Sequence, residues 1–548
     1  MIFYHLPKDG EDTELKAVLY WIYGGSFLRG VASKFYYSPD YLIEEDIVVV
    51  TVNYRLGALG FLALQHQNAT GNAGLKDQNL GLRWVRDNIA KFGGDPNKVT
   101  IAGVGAGSVS VGYHILSEKS KGLFRSSILM NGVPLNNWAF STSEDIARKA
   151  YELAKELGST ATNDDEFLKF YYQVDVESLT RTVTNSTQID IPLTPTLENP
   201  NFGPGWFITK CVLQLFGNHN RGPYMIGYNN DETITFAEKL EDIRYYINES
   251  VPLISEFKRG KPEMLDIEKD ITNASIYKII KELEYVAPID FTQKLLTNFN
   301  DSIYYYRYDF GYNKSLHDII DHFDIDGETR ADEIKMIFYS ELFQVNPKEN
   351  NSMTLLQRRM TRLWTNFVKY GNPTPDGTND PLLNIVWPDS RKSGEMLWLN
   401  DDLSVHDRYK SVIIDVAEVL LEFFSTELTM KRYNLPLFSV FLLFDWSLAA
   451  EFSPVIETTK GPVKGLVLTS IRESKKYHSY RGIPYGKPPV GYLRFRAPVE
   501  VDPWTEEFDA TKDGPICPQI YKETFVGQED CLNLNVYTPQ VTFHLFIT

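Results

Sequence analysis

Two runs, Ala17 to Tyr23 and Ile47 to Asn53, are β-branched and apolar with no alternation of polar positions. Such runs predict strands buried on both faces of a sheet. Gly24-Gly25 closes the first with a turn. From Lys76 to Lys91 the period lengthens: Leu80, Trp84, Val85 and Ile89 recur on one helical face, and Phe92-Gly93-Gly94-Asp95-Pro96 stops the segment. Val99 to Gly103 predicts another short strand, which runs into a glycine-rich turn and then the apolar stretch Val109 to Leu116, predicted as helix. Buried strands followed by helices along the same stretch are the pattern of an α/β fold.

The chain has 548 residues, 43% apolar and 23% charged, enough to bury a large core. That excludes a disordered chain, a collagen-like chain and a small disulfide scaffold. With 55 basic and 72 acidic residues the formal charge is −17, which repels phosphate backbones and anionic lipids, so no nucleic-acid partner is expected. Cys211, Cys517 and Cys531 are not spaced with histidines as a zinc site requires, so no metal and no cofactor are expected. Cys517 and Cys531 would close a short loop in an oxidising compartment. Sequons at Asn68, Asn185, Asn248, Asn273, Asn300, Asn313 and Asn350 favour secretion and glycosylation.

Met1 to Gly10 has neither a basic start nor an apolar run. The features of an export signal stand instead at 430–450: Met430-Lys431-Arg432, the apolar Leu435 to Leu448, then the small residues of Ser447-Leu448-Ala449-Ala450. A spanning helix needs about 20 apolar residues. This stretch is shorter and is broken by Pro436 and Asp445, so no integral membrane span is expected. A buried helix or strand joining two halves is the alternative.

The segments TTKGPVKGLVL, YRGIPYGKPPVGYLRFRAPVEVDPW and EDCLNLNVYTP, between Thr458 and Pro539, resemble the opening of a type B carboxylesterase, the cholinesterase-like branch of the α/β-hydrolases. The body resembles the same family through AVLYWIYGGSFLRG, VVVTVNYRLGALGFL, GNAGLKDQNLGLRWVRDNIAKFGGDPNKVTIAG, IGYNNDET and MTRLWTNFVKYGNPTPDG. The resemblance implies the α/β-hydrolase fold, with a large, mostly parallel central sheet flanked by helices, in a displaced order: a body over residues 1–428 without its opening segment, the signal-like stretch 430–450, and the family's N-terminal segment, or head, over residues 451–548. A fusion of tandem gene copies is the first explanation and a circular permutation the second. Either way the head is expected to dock on the body and complete its sheet, bringing Cys517 and Cys531 together at the rim of the pocket.

The resemblance also marks the positions where ester hydrolysis would be carried out. The nucleophile motif G-x-S-x-G reads Gly103-Val104-Gly105-Ala106-Gly107, so Gly105 stands at the nucleophile position and offers no oxygen. Ser108 and Ser110 lack the flanking glycines and are expected on the following helix. The segment matching the base motif is Gly327-Glu328-Thr329-Arg330-Ala331-Asp332-Glu333-Ile334, with Arg330 at the histidine position. A guanidinium with a pKa above ~12 accepts no proton at neutral pH. His317 and His322 lie nearby in sequence and are expected in loop or surface roles.

Glu232 retains the acid position, although Thr233 replaces the usual glycine, and an ion pair between Glu232 and Arg330 is expected. Tyr23-Gly24-Gly25-Ser26-Phe27 resembles the oxyanion loop, whose donors would come from Gly25 and Ser26 together with Ala106. These replacements imply a catalytically silent carboxylesterase-like protein, either a ligand-binding or interaction domain, with a small apolar ester-like compound as the expected ligand, or a decaying gene copy. An active carboxylic ester hydrolase with another nucleophile is the alternative that the resemblance alone would imply. The sequence leaves the oligomeric state open.

Overall fold

The structure is a computed structural model that describes residues 14–185, 193–203, 205–230, 281–299, 301–310, 333–340, 346, 348–377, 380–411, 414–415, 451–521 and 523–540. Its centre is an 11-stranded sheet. The body supplies β1 (Lys16–Ile22), β2 (Val48–Val52), β3 (Gly94–Val104), β4 (Ser126–Met130), β5 (Tyr224–Asn229), β6 (Ile303–Tyr308), β7 (Met396–Leu399) and β8 (Ser404–His406). The head supplies β9 (Leu466–Thr469), β10 (Lys476–Pro484) and β11 (Asn533–Thr538). Across the sheet the order is β9-β10-β11-β2-β1-β3-β4-β5-β6-β7-β8. Strands β2 through β7 are parallel, and both ends of the sheet are antiparallel. This is the large, mostly parallel sheet of an α/β-hydrolase.

The unalternating strand sequences follow from burial on both faces. Val18, Tyr20 and Ile22 of β1 join one apolar layer with Val48, Val50 and Val52. Ala17, Leu19 and Trp21 join the opposite layer with Val49. Helices α1 (Asp40–Glu44), α2 (Ala73–Asn88), α3 (Ala106–Leu116) and α4 (Ser352–Tyr370) pack on the sheet. Helix α2 carries the expected Leu80, Trp84 and Val85 inward, and Ile89 is buried on the 3₁₀ turn Ile89–Phe92 that follows it, but polar Lys76, Asp77, Gln78 and Asn79 are buried too. Buried Asp77 is held by Arg55, through Nε at 2.7 Å, Nη2 at 2.5 Å and the backbone N–H at 3.0 Å. The helix begins at Ala73, earlier than its apolar period suggested, after Asn72 in a left-handed turn at φ 55°.

Head and body share one sheet. Strand β11 inserts antiparallel beside β2, pairing Leu534 with Val52 and Tyr537 with Val49. Side chains stitch the same seam: Asn53 Nδ2 donates to Asn533 Oδ1 at 3.1 Å, and Tyr485 Oη donates to the Asn53 carbonyl at 2.6 Å. Cys517 and Cys531 form a disulfide, with Cα atoms 5.0 Å apart. The segment 430–450, with its signal-like run, lies outside the described residues. Among the described residues no helix is long and apolar enough to cross a membrane.

A buried ion pair joins α1 to the head. Glu44 accepts from Arg472 Nε at 2.7 Å and from the N–H groups of Arg472 and Glu473 at 3.1 and 2.7 Å. Both side chains are almost wholly enclosed. Removing one member of such a pair leaves a buried charge without its partner, at a cost of about 3 kcal/mol or more. Glu44→Ala is therefore expected to lower unfolding stability by about that amount in urea titration, whereas replacing both members together, Glu44→Gln with Arg472→Met, is expected to be less damaging because no buried charge is left stranded.

Candidate active site

The carboxyl ends of β1, β3 and β4 converge on the turn between β3 and α3. β3 ends at Val104, Gly105 adopts φ 54° and ψ −119°, and α3 begins at Ala106. The Gly105 N–H donates to the Met130 carbonyl at 2.9 Å, which fixes the turn against the end of β4. No room exists for a side chain on the inner flank: a Cβ built on Gly107 would lie 2.1 Å from the Ile22 carbonyl oxygen. The glycine spacing is thus set by backbone approach. The residue between the glycines, Gly105, is held at a positive φ that an L side chain rarely adopts.

The loop after β1 faces this turn. Gly25, Ser26 and Phe27 all have positive φ, at 118°, 56° and 61°. Among the described residues the N–H groups of Gly25 and Ser26 donate to no backbone or side-chain acceptor. Tyr23 anchors the loop, buried and stacked on Tyr54 with ring centroids 4.6 Å apart, and burial pushes its hydroxyl pKa up. Head residues hold the far end: Gly30 N–H donates to Gln519 Oε1 at 2.9 Å, and Gln519 Nε2 donates back to the Gly30 carbonyl at 3.0 Å. Asn535 Nδ2 donates to the Ala32 carbonyl, and Asn53 Oδ1 accepts from the Ala32 N–H at 2.8 Å.

Ser108 and Ser110 lie on α3, as expected, and both are buried. Ser108 Oγ donates to the Gly132 carbonyl at 2.5 Å and Ser110 Oγ to the Ala106 carbonyl at 3.0 Å. The turn also has no histidine bonded to it among the described residues. His114, on the same helix, is fully buried between Ser120 Oγ at 2.7 Å and Gln78 Oε1 at 3.1 Å, and burial lowers its pKa to about 3. Both residues of this Ser120–His114 pair are fully buried. Glu232, Arg330, His317 and His322 lie outside the described residues, and so does the expected Glu232–Arg330 pair.

A polar cluster that the motifs did not reveal sits at the ends of β4 and β5. Fully buried Glu333 accepts from Asn131 Nδ2 and, through Oε2 at 2.6 Å, from Asn229 Nδ2. Asn229 N–H donates to Asn131 Oδ1 at 2.6 Å, and Asn131 itself has φ 56°. The cluster pins the chain three residues after Arg330 to the sheet. Its only sequence signal was the acidic residue that closes the Arg330 motif, because its two asparagine partners have no distinguishing spacing.

Comparison with known proteins agrees with this geometry. The profile of the Carboxylesterase family matches residues 2–415 and 452–544, which leaves out little besides the segment between body and head. The chain belongs to the carboxylesterase family. This carboxylesterase-family chain is 29% identical to the juvenile hormone esterase of Tribolium castaneum over 437 residues, 72% of this chain and 73% of that protein. It is 38% identical to cholinesterase 2 of Branchiostoma lanceolatum over 226 residues, 40% of this chain and 65% of that protein. The acetylcholinesterase of Gallus gallus is 49% identical over 163 residues, 29% of this chain and 21% of that protein. The match thus spans less than two thirds of either cholinesterase.

The turn at Gly105 gives a direct test of backbone strain. A serine held at those angles costs on the order of 1 to 3 kcal/mol. Gly105→Ser is expected to lower the midpoint of thermal unfolding accordingly, whereas Ser110→Ala on the helix beside it is expected to cost about 1 kcal/mol or less.

Proposed function

We propose that this carboxylesterase-family protein is catalytically silent and keeps the scaffold of an ester hydrolase as a binding fold. The observation that carries the reading is Gly105 at the turn between β3 and α3, where the family resemblance puts the nucleophile. Arg330 at the base position removes the proton acceptor as well, and Glu232 remains as an acid with no histidine to orient. In a serine hydrolase the loss of Ser or His lowers kcat by about 10⁶, or roughly 8 kcal/mol of transition-state stabilisation. The oxyanion donors of Gly25, Ser26 and Ala106 on their own leave about 10³ to 10⁴ over water.

The ligand expected of such a protein is a small apolar ester-like compound, bound near the Gly105 turn without turnover. The disulfide and the seven sequons support passage through a secretory compartment and glycosylation. The head at 451–548 following the body at 1–428 supports a fused tandem copy whose inner signal-like stretch marks the junction, or a permuted gene.

Gly105→Ser combined with Arg330→His is the decisive variant. Its hydrolysis of p-nitrophenyl acetate is expected to exceed that of either single change by on the order of a hundredfold. Turnover by the unaltered chain that resists every change at Gly105, Glu232 and Arg330 would instead favour the second reading, an active ester hydrolase with a different nucleophile. Membership of a family with esterase relatives is what supports that reading.

A further inference from the structure

A cleft of about 300 Å³ opens at the seam between body and head, away from the polar cluster and turn described above. Its walls include Asn68 from the body, Phe202 and Trp206 from a body loop, and Leu493, Phe495 and Arg496 from the head. Asn68 heads the sequon Asn68-Ala69-Thr70. Its orientation is fixed at two points: Arg496 Nη2 donates to Asn68 Oδ1 at 2.6 Å, and the Asn68 N–H donates to His66 Nδ1 at 3.0 Å. The remaining polar atom, Nδ2, donates to nothing among the described residues and is not enclosed.

The turn beneath it is tight, with Leu64 N–H donating to the Ala69 carbonyl at 2.8 Å and Ala69 N–H to the His66 carbonyl at 3.0 Å. Thr70 is locked by Glu198 and Lys76, each at 2.8 Å. Half-buried Trp206 carries Lys119 Nζ over its ring at 4.1 Å from the centroid. A pyranose has an apolar C–H face and a rim of hydroxyls. The half-exposed rings of Phe202 and Trp206, beside the Asn68 amide and the Arg496 guanidinium, match both parts of it.

We propose that Asn68 carries an N-linked glycan whose first N-acetylglucosamine is seated in this cleft, so that the sugar bridges body and head. The inference rests on the secretory reading above and adds to it one site and one structural role. The donor is a lipid-linked diphosphate oligosaccharide: the Nδ2–C1 bond forms as the bond from C1 to the diphosphate oxygen breaks. The lipid diphosphate leaves with the bonding pair, and the amide proton passes to solvent. Oδ1 takes no part in the new bond, so the Arg496 hydrogen bond persists and aims the sugar along the cleft. Modification precedes folding, and the head then closes over the first sugar.

The test uses the full chain secreted from insect cells behind an export leader, with site occupancy read by peptide mapping. Asn68 is expected to be occupied, and peptide N-glycosidase to release its glycan about tenfold more slowly from the native than from the denatured protein. Trp206→Ala is expected to abolish most of that protection while occupancy stays unchanged. Arg496→Ala provides the same readout from the head side should the tryptophan variant not be secreted. A bare Asn68 beside glycans at other sequons overturns the proposal alone; a chain bare at every sequon overturns the secretory reading with it. Equal release from native and denatured protein, or protection unaffected by both variants, also overturns the seat.

Discussion

The insertion of Asn533–Thr538 beside Val48–Val52 is the contact on which the rest of the molecule depends. Without it β2 would present a long apolar edge to solvent, which invites pairing with other chains. With it, two layers of apolar side chains run unbroken from the head into the body, as Leu534 and Val536 enter one layer and Tyr537 the other. The strand also reaches the site. Asn533 and Asn535 grip Asn53 and Ala32, and Gln519 grips Gly30, so the loop after β1 takes its shape from residues about five hundred positions away in the chain.

Around the Gly105 turn, scaffold and chemistry have separate physical requirements. Gly107 is required by the approach of the Ile22 carbonyl, and the run of positive φ from Gly25 to Phe27 by the fold of the loop. Those demands belong to the backbone and would hold whatever side chain stood at position 105. A nucleophile adds strain at that position and returns only reactivity. The fold can therefore keep the family's geometry while the reacting groups change, which is why family membership alone does not establish activity.

Strands and helices around the site were legible because their apolar runs are long and local. The expected strands Ala17 to Tyr23 and Ile47 to Asn53 differ from the observed Lys16–Ile22 and Val48–Val52 by about a residue at each end, as terminal pairing decides such limits. β3 starts earlier than Val99 because Gly94 pairs with Lys16 across a bulge, a partnership no local pattern shows. The glycine-rich turn and the serines on α3 were also readable, since the spacing of the motif is local. The bonds among Asn131, Asn229 and Glu333, and the pair between Glu44 and Arg472, were not. Ordinary polar residues far apart in sequence become partners only once the sheet order brings their strand ends together.

On the reading proposed above, a carboxylesterase-family scaffold is built around a turn at Gly105 that offers no nucleophile. Labelling of the purified, folded chain with a fluorophosphonate probe, read by intact mass, tests it most directly, because only an activated serine takes up the phosphonyl group. The mass is expected to remain that of the unmodified chain after prolonged exposure, under conditions where an active family member is stoichiometrically labelled. A stoichiometric phosphonyl adduct on any serine of the native chain, lost when the protein is first denatured, would contradict it.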